Sequence, residues 1–98
     1  MIVRIVKLTF KTEEIANFEH IFEETKANIR NFEGCNFLEL YQDVNSPQQF
    51  FTYSYWDTQD HLESYRQSDF FKSVWSKTKV LFAAKPEAWS VTKKHTLA

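Results

Sequence analysis

The segment QFFTYSYW, residues 49 to 56, has no side that suits water. Its residues alternate as those of a strand do, with Phe51, Tyr53 and Tyr55 on one face and Phe50, Thr52, Ser54 and Trp56 on the other. A second run, IVRIVKLTF at residues 2 to 10, is β-branched and apolar, with Ile2, Val6, Leu8 and Phe10 on one side and Val3, Ile5, Lys7 and Thr9 on the other. Strands of this kind need cover on both faces. A single layer of helices meets only half of that requirement.

The rest of the chain supplies that one layer. From Thr12 the period changes: Ile15, Phe18, Phe22 and Ile29 recur at helical spacing, with Glu13 and Glu14 at the start and Lys26 and Arg30 near the end, as a helix dipole prefers. Gly34, the only glycine, follows where a left-handed residue closes the helix without a Cβ clash. CNFLELYQD begins a second strand, VNSPQ at 44 to 48 is a turn around Pro47, and QFFTYSYW is the third strand. Asp57 is expected to cap TQDHLESYRQ and Ser68 to cap DFFKSVWSKTKVLF, so that two helical pieces meet near Ser68. Pro86 stops the helix, PEAWSVTK at 86 to 93 is a fourth strand, and KHTLA is a short tail. The chain therefore reads as one domain over residues 1–93 with a tail at 94–98.

The order β-α-β-β-α-β predicts an α+β fold, the ferredoxin-like sandwich, in which one four-stranded antiparallel sheet carries its helices on one face. If Leu38, Leu40 and the series Phe50, Thr52, Ser54 and Trp56 face the helices, the open face carries Phe37, Tyr41, Phe51, Tyr53 and Tyr55. A patch of that size marks an interface. A homodimer with two sheets packed face to face is expected.

Composition removes several classes of function. Ten Phe, four Tyr and three Trp among 98 residues exceed what a small core requires. Twelve basic and thirteen acidic side chains leave a formal charge of -1, which sets up no field for nucleic acid or an anionic membrane. The longest apolar run, VLFAA at 80 to 84, is too short to span a bilayer, and MIVRIVKLTF reads as a strand rather than a signal peptide, so a cytoplasmic location is expected. Cys35, alone, forms no internal disulfide and reads as a small packing residue in a reducing compartment. No Ser-His-Asp set, phosphate-binding glycine loop or metal-ligand spacing is present, and no metal or cofactor is expected.

The helix-facing side of the third strand holds the candidate site. Thr52 and Ser54, flanked by Trp56, fill less space than the helices above them leave, so a cavity bordered also by Leu62, Tyr65, Phe71, Trp75 and Thr78 is expected to admit a small aromatic or apolar ligand. His61, in the first turn of the following helix, is either a general base for a phenol or a solvated histidine. Tyr65 either bonds a substrate oxygen or buries its ring with the hydroxyl at the surface. Arg66 beside it either stabilises an enolate or carboxylate or is solvated.

The run YSYWDTQDHLESYRQSDFF resembles a segment of the antibiotic biosynthesis monooxygenase family: a strand ending in Trp, an acidic cap, a helix with Leu, then a Ser-X-X-Phe step. The element order and chain length resemble that family too. The resemblance implies a dimeric α/β barrel and a membership that spans cofactor-free monooxygenases of aromatic polyketides, haem-degrading enzymes and isomerases. Quinone-forming members use a tryptophan at the end of the third strand and an asparagine before it; Trp56 is kept here, with Thr52 in the asparagine's place. Haem-degrading members use an asparagine, a tryptophan and a histidine at positions that correspond here to Val6, Tyr65 and Trp75, which leaves no axial ligand for iron. Other members carry a histidine where this chain has Tyr65. The resemblance thus implies a cofactor-independent monooxygenase of a small electron-rich aromatic or enolisable compound. In that reading Trp56, Tyr65 and His61 are catalytic, and Thr52, Ser54, Phe71, Trp75 and Arg66 bind substrate. A non-catalytic binding dimer or an isomerase of the same fold are the alternatives.

Overall fold

A computed structural model describes residues 1–98. Four strands, β1 (Ile2–Thr9), β2 (Cys35–Gln42), β3 (Gln49–Trp56) and β4 (Glu87–Val91), form one antiparallel sheet in the order β2-β3-β1-β4. Three helices, α1 (Ile15–Arg30), α2 (Gln59–Arg66) and α3 (Asp69–Lys79), complete the chain. This is the expected ferredoxin-like α+β arrangement, with β1 and β3, the two most apolar strands, at its centre.

Local details depart from the sequence reading in four places. The first helix opens with a 3-10 turn over Thr12–Glu14 and has no side-chain cap. Asp57 does not cap α2. Its amide donates to the Gly34 carbonyl and its carboxylate accepts from Asn36, so Thr58 takes the cap and accepts from the His61 amide at 3.1 Å. Ser68 does cap α3, accepting from the Phe71 amide at 3.1 Å. That helix ends at Lys79 rather than continuing to Phe82. The chain then folds back, burying Leu81 and bridging Phe82 to Phe10. Gly34 lies beyond the end of α1, at Asn31, and adopts φ +87° in the turn into β2.

Parity holds for β3 and for most of β2. A bulge between Cys35 and Phe37 puts two residues of the same parity on opposite faces: Cys35 pairs with Trp56 and is buried beneath the helices, whereas Phe37 pairs with Tyr55 on the open face. Such a bulge inserts one residue, here the exposed Asn36, and re-aims its neighbours.

The helix-covered face is packed at both ends. Leu8, Phe10, Phe18, Phe50 and Leu81 form one buried cluster; Ile29, Cys35, Trp56, Leu62 and Tyr65 form the other. The opposite face is covered within the chain only at Tyr55, where Lys93 lies over the ring at 4.7 Å and donates to its hydroxyl at 3.1 Å. Phe37 stacks on Tyr55 at 4.6 Å between centroids, and Tyr53 meets Phe37, Tyr41 and Tyr55 within 6.2 Å. Trp89 and Val91 extend the patch onto β4, whose residues are all exposed. No helix is long and apolar enough to cross a membrane.

Candidate functional site

Between the two packed clusters the sheet and helices enclose a cavity of about 330 Å³. Its floor is the helix-facing row of the sheet. Thr52, Ser54 and Trp56 come from β3, and Arg4, Val6 and Leu8 come from β1, which pairs Arg4 with Ser54 and Val6 with Thr52. Its roof comes from one face of α1 and from α2 and α3, where Tyr65, Phe71, Val74 and Trp75 project inward.

An aromatic ladder runs along one wall. Trp56, only 1% exposed, stacks on Tyr65 with centroids 4.9 Å apart and planes at 27°. Tyr65 meets Phe71 edge-on at 5.1 Å, and Phe71 stacks on Trp75 at 5.8 Å. Phe71 therefore bridges Tyr65 and Trp75 across the break between α2 and α3. Capping by Ser68 sets that break, and its hydroxyl also donates to the Tyr65 carbonyl at 2.6 Å.

The polar groups of the wall differ in how they are engaged. Trp56 Nε1 donates to Ser54 Oγ at 3.0 Å, while Thr25 and Thr78 donate to carbonyls of their own helices at 2.8 Å. None of the protein's hydrogen bonds engages the hydroxyls of Thr52 or Tyr65, and neither oxygen is shut off from solvent. Burial, followed by the neighbouring Cys35, raises the Tyr65 phenol well above the ordinary tyrosine range. Tyr65 is thus a hydrogen-bond donor at any physiological pH and not a base.

Of the residues expected at the site, Thr52, Ser54, Trp56, Tyr65, Arg66, Phe71 and Trp75 all line the cavity. His61 does not. Its ring nitrogen Nδ1 lies 2.8 Å from Thr58 Oγ1, and the side chain covers Gly34 so closely that a Cβ there would overlap it. The side chain read above as either a general base or a solvated histidine thus lies against the turn into β2, outside the cavity lining. Arg4 is the one charged lining residue that sequence reasoning missed. The available signal was parity, because Arg4 shares its face with Ile2, Val6 and Leu8. It donates to Ser90 Oγ at 2.9 Å.

The lining holds no His, Asp, Glu, Lys, Cys or Met; its only ionisable groups are Arg4, Arg66 and Tyr65. The ordinary His, Cys or Met axial ligands of haem iron are missing from it, and no cluster of three His, Cys, Asp or Glu side chains gathers anywhere in the chain to hold a metal ion.

A ferredoxin-like sheet roofed by helices over a small aromatic-walled cavity defines the architectural class of this domain. Within that class, the family model for antibiotic biosynthesis monooxygenases matches residues 1–75, and the chain belongs to that family. No curated protein matches the sequence. Among solved structures, an antibiotic biosynthesis monooxygenase superposes with a TM-score of 0.89 at 16% identity, over 95% of this chain and 98% of its own. A conserved protein from Methanosarcina mazei gives 0.88 at 22% identity, over 96% and 94%. SnoaB, a cofactor-independent oxygenase from Streptomyces nogalater, gives 0.87 at 18% identity, over 98% and 95%. At these identities the superpositions establish the shared fold.

Proposed function

We propose that the protein is a cofactor-independent monooxygenase acting on a small, flat, electron-rich aromatic or enolisable compound held in this cavity. One observation carries the reading: Trp56, Tyr65, Phe71 and Trp75 wall a volume within the roughly 300–1,000 Å³ range of small-molecule sites, and two of its lining residues, Thr52 and Tyr65, carry hydroxyls that make no hydrogen bond within the protein. Membership in the monooxygenase family and the likeness to SnoaB support it. In this chemistry the substrate anion reduces dioxygen. One oxygen atom enters the product, the other leaves as water, and the substrate supplies all the electrons. The protein's share is to orient the ring and stabilise the anion, with Phe71 and Trp75 packed on the ring, Trp56 backing Tyr65, and Tyr65 donating to the reacting oxygen.

Two copies joined through their open sheet faces complete the proposed assembly. Phe37, Tyr41, Phe51, Tyr53, Tyr55, Trp89 and Val91 lie together on the face away from the helices, which the chain itself touches only through Lys93 over Tyr55. A cytoplasmic location goes with this reading, since the one thiol, Cys35, is free and buried.

The test is direct. Quenching of tryptophan fluorescence by catechols, hydroquinones and naphthols reports binding, and an oxygen electrode reports turnover of each binder. Saturable quenching with oxygen uptake is expected. Saturable quenching without uptake establishes instead the second reading, a non-catalytic binder, which the lack of any carboxylate or imidazole in the lining favours. The same lack counts against an isomerase, which needs a base to move a proton.

A further inference from the structure

The cavity is cationic at one end. Arg4 rises from the sheet floor and Arg66 from the last turn of α2, and both line the same volume. Arg66 is paired with Glu63 at 3.1 Å, with both side chains nearly half exposed, so this end is the mouth. Arg4 donates to Ser90 and has no carboxylate of its own. The cluster of Arg4, Arg66 and Glu63 keeps one positive charge in excess, and Glu63 is not part of the lining. The two guanidiniums feel each other: burial first and the charge of Arg66 second draw the Arg4 pKa below its usual value, against the pull of Glu63.

A partly buried arginine beside a second arginine, in a cavity with neither base nor acid, is poorly suited to removing a proton and well suited to receiving a charge. We propose that Arg4 and Arg66 form an anion subsite and that the cavity takes its ligand already ionised, as an aromatic ring bearing an acidic phenolic or enolic hydroxyl bound as its anion. The ring lies along Tyr65, Phe71 and Trp75, and the oxyanion points to the two guanidiniums. The arginine pair thereby replaces a general base: the hydroxyl gives its proton to water before entry, and selective binding of the anion shows as a lowered pKa of the bound ligand. This rests on the ligand-binding reading of the cavity and names the class of compound that reading leaves open. It also accounts for the position of His61, which a pre-ionised substrate makes unnecessary.

para-Nitrophenol, whose neutral and anionic forms absorb differently, is the probe, with its uncharged methyl ether para-nitroanisole as control. Spectrophotometric titration of the dye bound to the wild-type protein is expected to give a pKa lower than that of the free dye by about one unit, the lower end of the effect of an opposite charge in contact. Arg4→Gln and Arg66→Gln should each remove at least half of that shift, Arg66→Lys should retain most of it, and none should change the affinity for para-nitroanisole more than about twofold. Circular dichroism checks folding. Arg66→Gln, on an exposed turn, keeps the test alive if the strand substitution unfolds the sheet. An unshifted dye, or a shift that survives both Gln substitutions, overturns the subsite while leaving the cavity as a binding site. Failure of both compounds to bind overturns the subsite together with the binding reading.

Discussion

Trp56 and Tyr65 stack at 4.9 Å across the junction of β3 and α2, and this contact joins the core to the site. Trp56 is at once the most enclosed large side chain of its cluster and a wall of the cavity. Trp56→Phe keeps most of the ring volume but removes the hydrogen bond to Ser54. It should cost about 1–3 kcal/mol, against about 3–5 kcal/mol for truncation to Ala, and should weaken ligand binding measurably. Urea denaturation and ligand titration on the same variant separate the two effects.

Tyr65→Phe removes a hydroxyl that no protein group engages. Stability at neutral pH should change by no more than about 0.5 kcal/mol, while affinity for a hydroxylated ligand falls about tenfold, the worth of one hydrogen bond. Equal binding by wild type and variant would show that the hydroxyl does not meet the ligand.

The same residue sets a pH dependence. Its folded pKa lies above the unfolded value of 10.0, mainly because of burial. The folded protein therefore holds its proton after the unfolded chain has released one, and stability falls as pH rises past about 10 toward the folded value. Tyr65→Phe should flatten that decline. Denaturation midpoints compared at pH values on either side of 10 give the answer.

Gly34 combines a left-handed backbone with contact against the His61 side chain. Gly34→Ala should destabilise by about 1–3 kcal/mol. Part of this is steric and part conformational, and because the contact includes the His61 Cβ, it is His61→Gly that should recover the steric part. A double-mutant cycle yields that coupling, and complete additivity would contradict the close contact.

Tyr53 sits at the centre of the open face, touching Phe37, Tyr41 and Tyr55. If two such faces pack together, with more than the roughly 1,200 Å² that a stable interface buries, Tyr53→Asp places an unpaired charge inside it. Sedimentation at micromolar concentration should then show the wild type as a dimer and the variant as a monomer or unfolded. A wild-type monomer would remove the proposed assembly.

Sequence by itself determined the order of the elements, the faces of β3 and the aromatic composition of both sheet surfaces. These follow from the strand period of two and the helical period of 3.6, which are properties of neighbouring residues alone. It also placed Thr52, Ser54, Trp56, Tyr65, Phe71 and Trp75 toward one space, because the strand face and the Ser68 cap are local signals. Only the tertiary structure decided that the space stays open between two packed clusters, since cavity volume is a difference between distant packing surfaces. It also decided that His61 belongs to the Gly34 turn. Its separation from Tyr65 by one helical turn suggested a shared face, yet the next residue, Leu62, takes the cavity side while His61 packs over Gly34. Arg4, inconspicuous in an apolar strand, became the partner of Arg66 only when the sheet brought β1 beneath α2, across more than half the length of the chain. Charges so far apart in sequence meet through topology, and no local period records their meeting.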